Sequence, residues 1–130
     1  MVGFAEVTVS GIVVTDPELV ETSTGPVTRF TVATNAHRFE AVTGQPMDPA
    51  AIFLTCTIRW RQAAQNVAAS LIRGTHVLVT GVLQQRAWNT TEGHQRYAYE
   101  VAATEVGISL NFAAVSITTA FDTPHRQDGD

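Results

Sequence analysis

A chain of 130 residues with 45% hydrophobic side chains can fill one core and is too short for two ordinary domains. Its net charge of −4 argues against a uniformly basic polyanion binder, and no apolar run approaches the roughly 20 residues of a membrane helix. A single cysteine, Cys56, excludes an intrachain disulfide and a cysteine-built zinc site, leaving a reduced thiol or a bridge between subunits.

Val7 and Val9 alternate with Thr8 and Ser10, and after Gly11 the pattern resumes at Ile12 and Val14 with opposite parity. This predicts a strand bent at a glycine bulge. Asp16-Pro17 and Ser23-Thr24-Gly25-Pro26 are turn signals, and a second strand runs from them to Asn35 with Phe30 and Val32 inward and Arg29 and Thr31 outward. From His37 to Ala51 two prolines and no sustained periodicity predict a mobile loop that starts with Arg38 and Phe39.

The next strand alternates cleanly, with Ile52, Leu54, Cys56 and Ile58 on one face and Phe53, Thr55, Thr57 and Arg59 on the other. Phe53 on the polar side suits either stacking on a base or an oligomer interface. In RQAAQNVAASLIRG, Ala64, Val67, Ala68 and Leu71 follow helical spacing, Arg73 closes the helix and Gly74 stops it. His76 to Leu83 returns to strand, interrupted at Gly81. Beyond Gly107, Leu110, Phe112, Val115 and Ile117 predict a further strand or an extended arm, and the polar end TPHRQDGD a frayed tail. One domain over residues 1–120 and a flexible tail over 121–130 are expected.

The segment GVLQQRAWNTTEGHQRYAYEV, Gly81 to Val101, reads as a long β-hairpin. Leu83 and Ala87 share one side of its outgoing strand, and Gln84, Arg86 and Trp88 the other. A turn at Glu92-Gly93, or a wider loop from Thr91 to His94, sets Trp88 opposite Tyr97 and Arg86 opposite Tyr99. Aromatic planes stack on bases and guanidinium groups meet phosphates, so this face suggests a platform for single-stranded nucleic acid; a solvated hairpin with incidental aromatics is the plain alternative. Charge is placed accordingly: between Arg59 and Arg96 five arginines meet one acid, Glu92, while Glu6, Asp16, Glu18 and Glu21 crowd the start. The chain has no lysine. Strands, one helix between the third and fourth, glycine bends and a late protruding hairpin predict an all-β fold with one helix, the five-stranded oligonucleotide-binding (OB-fold) barrel with an extra C-terminal strand. A ubiquitin-like roll would not need the hairpin.

The stretches TDPELVETSTGPVTRFTVAT, the loop ending in TGQ, FLTCTIRWRQAAQNVAASLIRG, VLVTGVLQQRAW and GHQRYAYEV together resemble the bacterial single-stranded DNA-binding protein family over most of residues 4 to 106. The segment after Gly107 is similar to the additional strand of actinobacterial members, which clamps one subunit to its neighbour. The resemblance implies a non-enzymatic homotetramer, cytoplasmic and nucleoid-associated, that binds single-stranded DNA without marked sequence preference in replication, recombination and repair. It places the family's stacking aromatics on Phe53, Trp60 and Trp88, and a fourth stacking position on Arg38, with Phe39 as substitute if the loop shifts by one residue. IRWRQ holds one more residue than in similar proteins: with Arg59 bulged, Trp60 faces the groove, and with a regular strand it points into the core. Arg29, Arg38, Arg59, Arg61, Arg73, Arg86 and Arg96 are the candidate phosphate contacts. Tyr97 and Tyr99 either extend the stack or support Trp88 from across the strand. The family's acidic tail tip, which recruits replication and repair proteins, is missing, and only Asp128-Gly129-Asp130 stands there; truncation or a specialised paralogue is expected.

His37, His76, His94 and His125 are too scattered for a metal-binding spacing, and Cys56 lies among apolar side chains, so neither a metal, a cofactor nor a nucleophile is expected. The start MVGFAEVTV lacks the features of a signal peptide, so a soluble intracellular protein without membrane attachment is expected. The rival functions are an oligomeric scaffold paralogue at replication forks with secondary DNA affinity, and an RNA-binding cold-shock-like module, whose usual aromatic strand motifs are not evident.

Overall fold

Alternating valines place one side of a strand on the core, and the first strand, β1 (Glu6–Val13), buries Val9 and Val13 in this way. The computed structural model describes residues 3–36 and 50–118, in which five further strands and one helix follow: β2 (Glu18–Thr22), β3 (Gly25–Ala36), β4 (Ala50–Ile58), α1 (Arg61–Ser70), β5 (His76–Asn89) and β6 (Gln95–Ile108). The sheet order is β1-β5-β6-β4-β3-β2, and β1 also pairs with β3, which closes a ring. Five strands make that ring, and β2 lies outside it on the edge of β3. All pairings are antiparallel except β4 with β6.

The predicted ring strands therefore form, but β2 was not legible as a separate strand. All five of its residues are exposed, so it carries no apolar alternation to read. Inside the ring Phe30, Val32, Cys56, Ile58, Val77, Val79 and Val101 are buried. The helix covers one part of this core with Ala64 and Val67, and Leu71 follows just past its end. Thr28, fully buried on β3, donates its hydroxyl to the Ala64 carbonyl at 2.6 Å and ties helix to sheet. The expected helix was too long: it ends at Ser70, so Arg73 lies beyond it, where its backbone N–H donates to Asp16 Oδ1. Its charge does not act on the helix's last turn.

Gly11 is not a bulge. The β1–β5 register is unbroken from Glu6↔Val82 to Ile12↔His76, and at its end β1 also takes up pairing with β3 at Ile12↔Ala33 and Val13↔Val32. A side chain at Gly11 would press on the Ala33 carbonyl and Val32, so the glycine permits the crossing that closes the ring. The actual irregularity is in β6, where Thr104 is the extra residue opposite Thr80 and Gly81. It lets Ala103 and Val106, three apart, both face inward. After Ser109 no strand forms among the described residues; Leu110 and Phe112 lie in a turn closed by the Phe112 N–H donating to the Ser109 carbonyl, Val115 and Ile117 follow in a segment without regular structure, and all four are exposed. Phe112 stacks on His76 with centroids 3.8 Å apart. Residues 37–49, which include Arg38 and Phe39 of the expected loop, and those from 119 onward lie outside the described residues. No helix among those described is long and apolar enough to cross a membrane.

Two outcomes follow from this packing. Gly11→Ala should lower stability by about 1–3 kcal/mol, the usual cost of overpacking, seen as a reduced urea midpoint. Burial pushes the Cys56 thiol up to about 12 from its ordinary 9.0, so at pH 8 only about one thiol in ten thousand is ionised. Iodoacetamide should label Cys56 only after unfolding, which mass spectrometry at graded urea would register. Because the folded value is raised, the stability this group lends is complete below pH 9 and is lost as the pH climbs towards 12.

Candidate nucleic-acid interface

Strand pairing decides which side chains share a surface, because directly paired residues point to the same side of a sheet. Thr55 on β4 pairs with Glu100 on β6, and Glu100 pairs with Gln84 on β5. Phe53 is two residues from Thr55, and Arg86 and Trp88 are two and four residues from Gln84. They all face outward on one continuous side. Trp88 pairs with Arg96, which adds a second guanidinium, and Thr57 pairs with Arg29 on β3. Phe53 is 63% exposed and Trp88 41%, so neither ring belongs to the core.

The hairpin register departs from the sequence expectation by one residue. Thr90 N–H donates to the His94 carbonyl and Gly93 N–H to the Thr90 carbonyl, leaving a three-residue turn, Thr91-Glu92-Gly93, with Gly93 at φ +85°. An odd turn length pairs Trp88 with Arg96, Ala87 with Tyr97 and Gln85 with Tyr99. Tyr97 and Tyr99 consequently stand on the opposite side of the ribbon from Trp88. They neither extend its stack nor brace it from across the strand. Tyr97 instead donates its hydroxyl to Gln95 Oε1 at 2.8 Å, on that reverse side.

Trp60 faces outward. Strand β4 stops at Ile58, and Trp60 is extended (φ −71°, ψ 132°) at the N-terminus of α1, where its carbonyl accepts the Ala64 N–H. The ring is 70% exposed. Strand parity, which would send it inward with Ile58, no longer applies once the strand has ended. Arg59 and Arg61 flank it, both exposed, and Arg61 occupies the helix's first turn with no acid and no side-chain cap there. Cations at that end oppose the macrodipole, so the local arrangement favours an anion more than it favours the helix.

One participant was missed in the sequence. Glu100 sits on the outward side between Gln84 and Thr55, and its Oε2 is 3.4 Å from Arg86 Nη1. The Arg86 guanidinium carbon also lies 5.2 Å from the Trp88 ring centroid. The signal was available in the hairpin pattern, since Arg86 and Glu100 are diagonal neighbours once the turn is odd. Arg29 has Glu18 of β2 as its cross-strand neighbour but forms no salt bridge with it. Arg59, Arg61 and Arg96 make no ion pair among the described residues. Within those residues no three His, Cys, Asp or Glu side chains converge on one point.

Residues 4–109 match the single-strand binding protein family. The chain belongs to that family. It is 45% identical over 121 residues to the single-stranded DNA-binding protein of Mycolicibacterium smegmatis, covering 92% of this chain and 73% of that one. It is 44% identical over 119 residues to single-stranded DNA-binding protein 2 of Streptomyces coelicolor, covering 91% of this chain and 59% of that one. Among solved structures, a small single-stranded DNA-binding protein from Streptomyces coelicolor superposes with a TM-score of 0.71 at 28% identity, over 86% of this chain and 100% of that one. The Plasmodium falciparum SSB complex with single-stranded DNA gives 0.72 at 18% identity, over 84% of this chain and 97% of the other, and shares the fold. The closed ring with one helix is thus the oligonucleotide-binding fold expected for the single-strand binding family.

Proposed function

We propose that the outward face of β4, β5 and β6 binds single-stranded DNA without marked sequence preference and protects it, without catalysis, during replication, recombination and repair. The observation that carries this reading is the register: it gathers Phe53, Trp88, Arg86 and Arg96 on one exposed surface, with Trp60, Arg59 and Arg61 at its border. Exposed rings offer stacking area to any base, because every base has a π-face, and guanidinium groups offer planar donors to phosphate. Duplex DNA binds poorly in this mechanism, since paired bases hide their faces. Of these cations only Arg86 is held in an ion pair among the described residues, by Glu100. Tyr97, on the reverse of the hairpin, takes no part in this face; the further contact that the family resemblance suggests at Arg38 lies outside the described residues.

A homotetramer is part of the proposal, and native mass measurement tests it. Leu78, Leu110, Phe112 and Ile117, exposed on the single chain, are apolar area that such an assembly could cover. The location that follows is the cytoplasm, with the nucleoid.

Trp88→Ala should weaken poly-dT binding by about 1–3 kcal/mol, the alanine-substitution cost of one base stack, with little change in thermal midpoint because the ring packs outside the core. Unchanged affinity would remove the hairpin from the mechanism. Affinity should fall with salt at a log–log slope of about −0.7 per neutralised phosphate, and a flat response would deny the arginines their role. Glu100→Gln should tighten binding about threefold at low salt, since it frees Arg86 from a surface ion pair of ~0.2–1 kcal/mol and removes a repelling charge. Fluorescence titration of all three proteins reads each outcome, and indole quenching by oligo-dT separates stacking from a pure scaffold role.

A further inference from the structure

A cleft of about 580 Å³ opens at the end of the outward face away from the hairpin tip. One of its walls is the N-terminal segment, held in place because the Ala5 carbonyl accepts the Leu83 N–H at 2.8 Å, one step beyond the Glu6↔Val82 pair. Carrying the alternation on by one residue sets Phe4 opposite Gln84, on the outward side with Val82. Phe4 is 80% exposed and Trp60, on the facing wall, 70%. Between them the floor is small, Thr57 and Ala102, and Arg59 stands at the rim. Two open rings above a shallow floor with a guanidinium beside them suit a flat, partly apolar group attached to an anion.

We infer that Phe4 is a nucleobase-stacking residue, and that the Phe4–Trp60 cleft holds a base of the bound single strand. The inference rests on the reading of the outward face as a single-stranded DNA surface and extends it. Along β5 the face runs from Trp88 to Val82, about 20 Å at the usual strand rise. Past Arg86 and Phe53 it offers the rung Gln84, Glu100 and Thr55, which is polar and has no ring of its own. Phe4 supplies one at that level. The strand then has an aromatic surface from the hairpin to Trp60 with no wide gap, and Arg59 meets the phosphate beyond it.

The test uses the full chain. Its only tryptophans are Trp60 and Trp88, so Phe4→Trp combined with Trp60→Phe and Trp88→Phe puts the sole indole at position 4. Oligo-dT should quench that indole and matched duplex should not; an unquenched indole while anisotropy reports binding overturns the inference. Separately, Phe4→Ala and Phe4→Leu should each weaken oligo-dT binding about tenfold with unchanged native mass, because leucine restores bulk and not a π-face. Wild-type affinity in Phe4→Leu, or an altered native mass in Phe4→Ala, would assign Phe4 to packing or a subunit contact and overturn the inference. Absence of oligo-dT binding by the wild type would instead overturn the reading of the whole face.

Discussion

Everything on the outward surface depends on one constraint, the strict alternation of side chains along strands whose pairing is fixed by a closed ring. Once β1 pairs with both β5 and β3, the register of each ring strand is set by its neighbours, and the core positions follow. Phe30, Cys56, Val79 and Val101 point in; Arg29, Phe53, Arg86 and Trp88 have no choice but to point out. The same alternation that buries valine therefore exposes aromatic rings. Leaving rings in water forfeits roughly 1.5–3 kcal/mol of burial apiece, and a ligand with planar faces can recover part of it.

That constraint also explains what the sequence could and could not disclose. The core of β3 and β4 was legible because Phe30/Val32 and Leu54/Cys56/Ile58 repeat at period two, and the helix because Ala64, Val67 and Leu71 repeat at its own period. What failed was parity across irregularities. Gly11 looked like a bulge because Ile12 and Val14 are apolar, yet the pattern of Val9, Gly11 and Val13 never breaks, and Ile12 is simply an exposed isoleucine. The true bulge at Thr104 lay in the spacing of Ala103 and Val106. In the hairpin, a turn of two or four residues and one of three differ by a single residue, and that single step moved both tyrosines to the other side. For Trp60 the alternation rule allows both groove and core, because it does not say where a strand ends; the expected loop with Arg38 and Phe39 falls outside the described residues.

Electrostatics on this face is local and partly self-cancelling. A chain of net charge −4 still exposes Arg59, Arg61, Arg86 and Arg96, but Glu100 occupies the middle of the same surface and holds Arg86. An ion pair so placed does two things at once: it keeps the guanidinium near the Trp88 ring in the free protein, and it competes with an incoming phosphate. Both effects are small in water and vary with salt. On the proposed reading they make Arg86 a tuned contact and leave the stronger attraction to Arg96 and to Arg59 and Arg61, which make no ion pair among the described residues.

The junction between β4 and α1 carries the plainest sign that this surface is shaped for something other than stability. A helix start ordinarily gains from a side-chain cap and an acid in its first turn. Here the cap position is Trp60, which makes no side-chain hydrogen bond, and the first helical residue is Arg61. Either substitution by a better capping residue would be expected to steady the helix, and each would remove an exposed ring or a cation from the border of the face. Departures from local rules that cluster at one place, with no compensating contact among the described residues, are where a bound partner is expected to supply what is missing. On the proposed reading a polyanion with planar bases would supply both, charge to the uncapped helix end and a surface to the ring, whereas a purely structural partner would have no need of the arginines that flank it.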